Sequence, residues 1–178
     1  MANAAEWKTL DLGSCSIELP SEWYVLDEQT REAIGRLANH PTKKHLLASQ
    51  DKANQNDISM IVRVNTFPSS REEYEDMKNL KELDLPELTE LLKEEYSKNK
   101  IIVLKQIFPV QKLVVEGLPT MLSSHLRQGK RGSEWWVRIF QIYTKNKQYQ
   151  VTLSMDTQFP ENAKVLDQIF STFRILEK

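Results

Sequence analysis

Three cations and two tryptophans cluster within residues 127–136 of this sequence. Arg127, Lys130 and Arg131 surround two glycines, and the segment then runs into Trp135 and Trp136. Cationic side chains beside aromatic rings can bind phosphates, nucleic acid or an acidic partner. The alternative is a basic loop beside two tryptophans of the core, which requires no ligand. These five residues are the candidate binding residues of the chain.

No catalytic set accompanies them. The sequence has no nucleophile elbow, phosphate-binding loop, dinucleotide-binding fingerprint or zinc-protease motif, and it has five glycines in all. Carboxylate pairs such as Glu94 and Glu95 fall on acidic helix faces, where water keeps both ionised. Cys15, the single cysteine, is expected to be a small buried strand residue. We predict no catalytic residues, no cofactor and no enzyme activity.

The three histidines do not form a metal-binding pattern. His40 and His45 are five positions apart and flank a proline, whereas two ligands on one helix face are four apart. His125 lies in a predicted strand, opposite in parity to Leu126, so we expect it to be half-exposed. We predict no metal site. An enzyme with an unfamiliar site around His125 and the basic loop remains the alternative.

The hairpin predicted at residues 134–155 is the centre of the fold. Its second strand alternates apolar and polar residues, which is the pattern of a strand with one buried face. Its first strand is apolar on both sides, which is typical of a strand in the middle of a sheet. The alternating apolar residues of the second strand are Tyr149, Val151, Leu153 and Met155.

The whole chain reads β-β-α-β-β-α-α-β-β-β-β-α. Asp27 is a predicted helix N-cap, and Ser70 with Glu73 forms a predicted capping box. Pro109 interrupts a long strand region over 101–115, which implies a bulge, an edge or two shorter strands. Strands paired by short turns, with helices between them, indicate α+β: a central antiparallel sheet sandwiched by helices. Residues 1–178 are expected to form a single domain.

Composition narrows the class of partner. The formal net charge is -1, so no overall field attracts nucleic acid or an anionic membrane. No apolar run approaches the roughly 20 residues of a membrane span. Ala2-Asn3-Ala4 has the A-x-A form that precedes signal peptidase cleavage. We therefore expect a protein partner, no nucleic acid, no membrane span, and an extracytoplasmic rather than a cytoplasmic location.

Short motifs along the chain resemble one known family. Residues 17–23, IELPSEW, are similar to the strand, Leu-Pro, x-x-Trp opening of the PsbP/DcrB-like superfamily. Residues 116–119, EGLP, and the closing segment 159–175 resemble the same family in order. The resemblance implies an α/β/α sandwich used as a non-catalytic accessory module.

This resemblance and the missing catalytic set favour a bacterial binding or assembly module. A chaperone-like protein that holds an apolar partner segment is the alternative, and its apolar strip would involve Trp135 or Trp136.

Overall fold

The computed structural model describes residues 6–37, 43–99, 102–129 and 132–177. The strands are β1 (Trp7–Asp11), β2 (Cys15–Pro20), β3 (Tyr24–Val25), β4 (Lys44–Gln50), β5 (Met60–Pro68), β6 (Leu104–Ile107), β7 (Gln111–Val115), β8 (Leu118–Gln128), β9 (Glu134–Tyr143), β10 (Lys147–Asp156) and β11 (Arg174–Ile175). The helices are α1 (Glu28–Leu37), α2 (Arg71–Asn79), α3 (Leu85–Lys98) and α4 (Asn162–Ser171).

The described strands form two antiparallel sheets. The larger has eight strands in the order β3-β4-β5-β10-β9-β8-β6, with β7 also pairing with β8. The smaller has the order β1-β2-β11. The predicted hairpin is β9 and β10, and it lies between β8 and β5. The predicted antiparallel α+β architecture is therefore confirmed.

One face of the larger sheet, which we call the α4 face, carries the main core. Its alternating residues on β10 pack with the small sheet and with Leu166, Ile169 and Phe173 from the α4 region. The Tyr149 hydroxyl donates to the Ser14 carbonyl over 3.3 Å. Alternation along β10 thus places an apolar row against the helix, as the sequence pattern predicts.

The opposite face, which we call the α2/α3 face, has a smaller apolar cluster at one side. Leu85, Val110 and Met121 are buried there beneath α2 and α3. Helix α1 lies at the other side, against β4. The central strands of this face have half-exposed polar side chains between the two groups of helices.

Local signals in the sequence specify several of these boundaries. Asp27 accepts a hydrogen bond from the Thr30 amide over 2.8 Å, as an N-cap does. Ser70 and Glu73 form the predicted capping box at the start of α2. The chain breaks at Pro109, which cannot donate to a ladder, and β6 and β7 pair with successive parts of β8. The sequence pattern did not predict the short strand β3.

The expectation for His125 is wrong. Its side chain is 2% exposed, because the α3 residue Tyr96 covers it with ring centroids 4.7 Å apart. None of the described helices is both long and apolar enough to cross a membrane.

Candidate functional site

The two tryptophans of the candidate cluster lie on opposite faces of the larger sheet. Arg127 pairs with Trp135 across β8 and β9, and Leu126 pairs with Trp136. Because neighbouring residues of a strand point to opposite faces, Arg127 and Trp135 share the α2/α3 face, and Trp136 lies on the α4 face. Lys130 and Arg131 lie outside the described residues. The candidate cluster therefore divides into two surfaces.

Arg127 and Trp135 contact each other on the α2/α3 face. The Arg127 Cζ atom lies 6.0 Å from the centroid of the Trp135 ring, within the range of a cation–π interaction. A Cβ atom on Gly129 would lie 2.2 Å from Trp135 Cδ1, so the backbone at this position approaches the indole this closely only with glycine there. The Gly129 amide donates to the Ser133 carbonyl over 2.7 Å. Glycine at position 129 thus lets the backbone of that residue pack against the indole.

His125 is two residues from Arg127 on the same face. Burial, with a smaller contribution from Arg127, lowers the pKa of His125 to about 4, so the ring is neutral at pH 7. Its Nδ1 atom has no hydrogen-bond partner among the described residues. A general base needs a second group to orient and charge-balance its ring. Among the described residues, the charged group that acts on His125 is the cation Arg127, which does not favour His125 as a general base.

Arg63 adds a further cation to the α2/α3 face, and the sequence reading missed it. It lies in the middle of β5, paired with Thr152 of β10. Protein atoms around its guanidinium lower its pKa, although the side chain remains exposed overall. Burial lowers the pKa values of Arg127 and Lys43, and the charge of Arg63 makes a smaller contribution in the same direction. The sequence did contain a signal for Arg63. It alternates with the apolar Val62 and Val64 in β5, so its side chain belongs to the opposite face of the sheet.

A pocket opens on the α4 face next to Trp136. Its volume is about 260 Å³, and it lies where β9 and β10 meet the start of α4. Except for Thr157, the side chains that line it are apolar: Phe108, Leu126, Trp136, Met155, Thr157, Pro160 and Ala163. The half-buried indole of Trp136 forms one wall. This opening is therefore apolar and includes Trp136, a residue of the candidate cluster.

Arg138 fixes the indole that lines the pocket. Its Cζ atom lies 4.7 Å from the centroid of the Trp136 ring. Its guanidinium donates to the Asp167 carboxylate of α4 over 2.6 Å, while the Arg138 side chain is only 12% exposed. Arg138, itself paired with Asp167, therefore holds the Trp136 indole in place. This wall of the pocket is preorganised before a ligand binds.

Among the described residues, neither a metal-binding cluster nor a reactive thiol is present. They contain no group of three or more His, Cys, Asp or Glu side chains that could hold a metal ion. Cys15 is fully buried, and burial raises the pKa of its thiol to about 12. A thiol in that environment is not a nucleophile at neutral pH.

Comparison with known proteins gives matches in structure. No family model matches the chain. No curated protein matches it either. A protein from Bacteroides thetaiotaomicron superposes with a TM-score of 0.55 at 10% identity, covering 98% of this chain and 49% of that one. This chain thus spans about half the length of the Bacteroides protein.

Two further solved structures match over nearly their full lengths. The cyanobacterial PsbP protein of Synechocystis (CyanoP) has a TM-score of 0.56 at 9% identity, covering 98% of this chain and 95% of that one. LpqN, involved in cell envelope biogenesis of Mycobacterium tuberculosis, has a TM-score of 0.51 at 13% identity, covering 97% and 92%. At these identities a likeness carries the fold alone. The order of the strands, the helices on both faces and these superpositions show that the chain has a PsbP-like fold.

Proposed function

We propose that this protein is a non-catalytic binding module that holds an apolar side chain of a partner protein in the pocket beside Trp136. The observation that carries the proposal is the pocket itself, with its apolar lining and its fixed indole wall. Exposed apolar patches mark sites of interaction, and the residues that contribute most to binding in protein interfaces are enriched in tryptophan.

The size of the pocket favours a side chain over a free small molecule. Small-molecule sites usually measure roughly 300–1,000 Å³ and enclose most of their ligand. At about 260 Å³, and open at one side, this pocket suits one large apolar side chain presented by a polypeptide. Phe159, which precedes the lining residue Pro160 in the sequence, is 43% exposed and adds exposed apolar surface to this part of the chain.

We also propose that the protein works outside the cytoplasm as an assembly or accessory factor. The support for this proposal is the fold shared with LpqN, which is involved in cell envelope biogenesis. Fractionation of cells that express the chain from its native gene tests the location. Recovery in the cytoplasmic fraction alone would contradict it.

Peptide selection tests the pocket directly. Peptides from a random display library are selected on the wild-type protein, and their affinities are measured by fluorescence polarisation. We expect the selected peptides to share one large apolar residue. The Ala163→Leu variant fills the pocket from α4 and should weaken these peptides about tenfold or more, because a buried anchor typically contributes over 1 kcal/mol.

A matched variant separates pocket filling from a general change in α4. Gln168→Leu places the same side chain at an exposed position of that helix, away from the pocket lining. Its peptide affinities should equal those of the wild type. Peptides without an apolar anchor, or equal binding to Ala163→Leu and the wild type, would refute the proposal.

A further inference from the structure

Strand β1 forms an open margin of the smaller sheet. In the order β1-β2-β11 it is a terminal strand, and β2 is its partner among the described strands. Its five residues pair with β2 in one unbroken register, from Trp7 to Asp11. Natural proteins commonly block an exposed edge with a bulge or a proline. Strand β1 has neither, so its outer side is available for pairing.

The backbone groups of alternate residues in β1 point away from β2. The Leu12 amide donates to the Cys15 carbonyl, and the Ser21 amide donates to the Glu6 carbonyl. Even-numbered residues between positions 6 and 12 therefore also face β2, because the hydrogen-bonding pattern of an antiparallel ladder repeats every second residue. The odd-numbered residues direct their backbone groups outward, where no described residue bonds to them. This outward ladder consists of Trp7, Thr9 and Asp11.

The lysine of β1 does not protect this edge. A lysine on an exposed strand commonly directs its charge toward an approaching strand and so prevents pairing. The Lys8 ammonium instead donates to the Ser21 carbonyl over 3.0 Å and to the Trp23 carbonyl over 2.7 Å. Lys8 is thus bound to its own chain, and its side chain starts on the face of the sheet opposite to that of Thr9.

Two copies of β1 are complementary to each other. An antiparallel pairing about a two-fold axis beside Thr9 places the two Thr9 residues opposite each other, and threonine pairs of this kind stabilise antiparallel strands. Trp7 then lies opposite Asp11 of the second copy. Lys8 lies opposite Leu10, so no two like charges face each other. Each pair of outward residues can exchange hydrogen bonds in both directions, which satisfies the open ladder of both chains.

Exposed apolar side chains follow the segment that binds Lys8. Tyr24 and Val25 come directly after Trp23 and are 49% and 40% exposed. This segment leaves β2 at the Trp7 end of β1, and the pairing brings that end beside the turn that follows β1 in the second copy. Contacts of these side chains would extend the interface beyond the paired strands, as a stable dimer requires.

We propose that two copies of this chain pair through their β1 strands and join their three-stranded sheets into one continuous sheet, in the order β11-β2-β1-β1-β2-β11. The contact has two-fold symmetry, the commonest symmetry of homodimers, with Thr9 at its centre. No residue of β1 lines the Trp136 pocket, so the pairing does not depend on the function proposed for that pocket.

Sedimentation equilibrium of the full chain tests this pairing through a charge exchange at its centre. The wild type should form dimers in a concentration-dependent manner. Thr9→Lys and Thr9→Glu each place like charges directly opposite each other, so each should weaken association about tenfold or more. An equimolar mixture of the two variants should regain association, because the lysine of one chain then faces the glutamate of the other.

Two further variants serve as controls. Gln111→Lys adds the same charge at an exposed position of β7, a strand of the larger sheet, and should associate like the wild type. Ala163→Leu fills the Trp136 pocket and should also form dimers normally. Failure of the pairing and failure of the pocket proposal can therefore be distinguished.

Hydrogen exchange of single amides, measured by NMR, reports on the contact itself. The Thr9 amide points outward, so it should exchange slowly only at concentrations at which the chain is dimeric. The Leu10 amide faces β2 and should be protected in both the monomer and the dimer. Protection of Leu10 in Thr9→Lys and Thr9→Glu should show that these variants keep the β1–β2 hairpin folded while they lose association.

Several results would overturn the proposal. They are a wild type that remains monomeric at about 1 mM, a Thr9 variant that dimerises like the wild type, and a mixture of the two variants that does not associate. A wild-type dimer with a rapidly exchanging Thr9 amide would place the contact on another surface. A monomeric chain whose Thr9 amide becomes protected when a selected peptide binds would assign this edge to a strand of a different protein.

Discussion

Replacing His125 with phenylalanine should remove a large part of the acid sensitivity of this protein. The folded-state pKa of His125 is about 4, against 6.5 for a free histidine, so the unfolded chain takes up the proton first. The neutral ring therefore contributes stability that is complete above pH 6.5 and is lost as the pH falls toward 4. At about 1.36 kcal/mol per pKa unit, the total loss is about 3 kcal/mol, of which about 2.5 kcal/mol is reached at pH 4.5.

Urea unfolding of both proteins at pH 7.5 and pH 4.5 measures this effect. The wild type should lose about 2.5 kcal/mol more than His125→Phe over that range. Phenylalanine keeps an aromatic ring against Tyr96 and does not titrate, and His125 Nδ1 has no partner to lose. Contributions from His45 and from the carboxylates are present in both proteins and cancel in the difference. A constant offset between the variants does not affect the comparison.

Two controls define the cause. In an NMR titration, Arg127→Gln should raise the pKa of His125, because Arg127 is the second cause of its depression after burial. His45→Gln tests whether the effect belongs to His125 rather than to any half-buried histidine, and it should leave most of the acid sensitivity in place. Parallel losses of stability in the wild type and in His125→Phe between pH 7.5 and 4.5 would refute the reasoning.

Three further predictions concern stability and reactivity. Asp51 accepts hydrogen bonds from the Ser59 amide, the Ser59 hydroxyl and the Met60 amide. Asp51→Ala removes this acceptor, so the free energy of unfolding measured in urea should fall by about 3 kcal/mol. For the exposed Asp57→Ala, the control, it should fall by under about 0.5 kcal/mol. Gly129→Ala should cost about 1–3 kcal/mol by displacing the Trp135 ring and should change the tryptophan fluorescence spectrum. Cys15 should react with a thiol reagent at pH 8 about 100-fold more slowly in the native protein than in urea.

Each of these predictions has a result that would contradict it. Equal losses from the two aspartate variants would show that the three hydrogen bonds are worth little. An unchanged fluorescence spectrum in Gly129→Ala would show that the loop moves instead of the indole. Native Cys15 reacting as fast as the unfolded chain would mean that β2 opens readily to solvent.

Much of the fold follows from local patterns. The alternation along residues 149–155 and the two-sided apolar strand before it place the hairpin at the centre of the sheet. Asp27, Ser70 and Glu73 mark helix starts because their side chains bond to backbone amides only a few residues away. Such signals need no knowledge of the rest of the chain. Pro109 likewise acts on its own strand.

The candidate sites are harder to predict from the sequence, because they depend on which strands and helices pack against each other. The alternation along β9 does predict that Trp135 and Trp136 point to opposite faces, but it does not show what covers each face. His125 looked half-exposed because only packing of α3 brings Tyr96 over it. Arg63 and Arg127 are 64 positions apart, and only the order and register of the strands place both on the α2/α3 face.

The break at Pro109 and the shortness of β3 also determine how a partner can attach. The outer strands β6 and β7 have four and five residues, so that side of the sheet offers no long ladder for an added strand. On the other side, the Leu26 amide donates to the Ala48 carbonyl, and Arg31 donates to the carbonyl of His45. With both margins of the larger sheet interrupted or occupied, main-chain strand addition there is disfavoured. The binding proposed above would instead use side chains on the faces of that sheet, where single substitutions can control it.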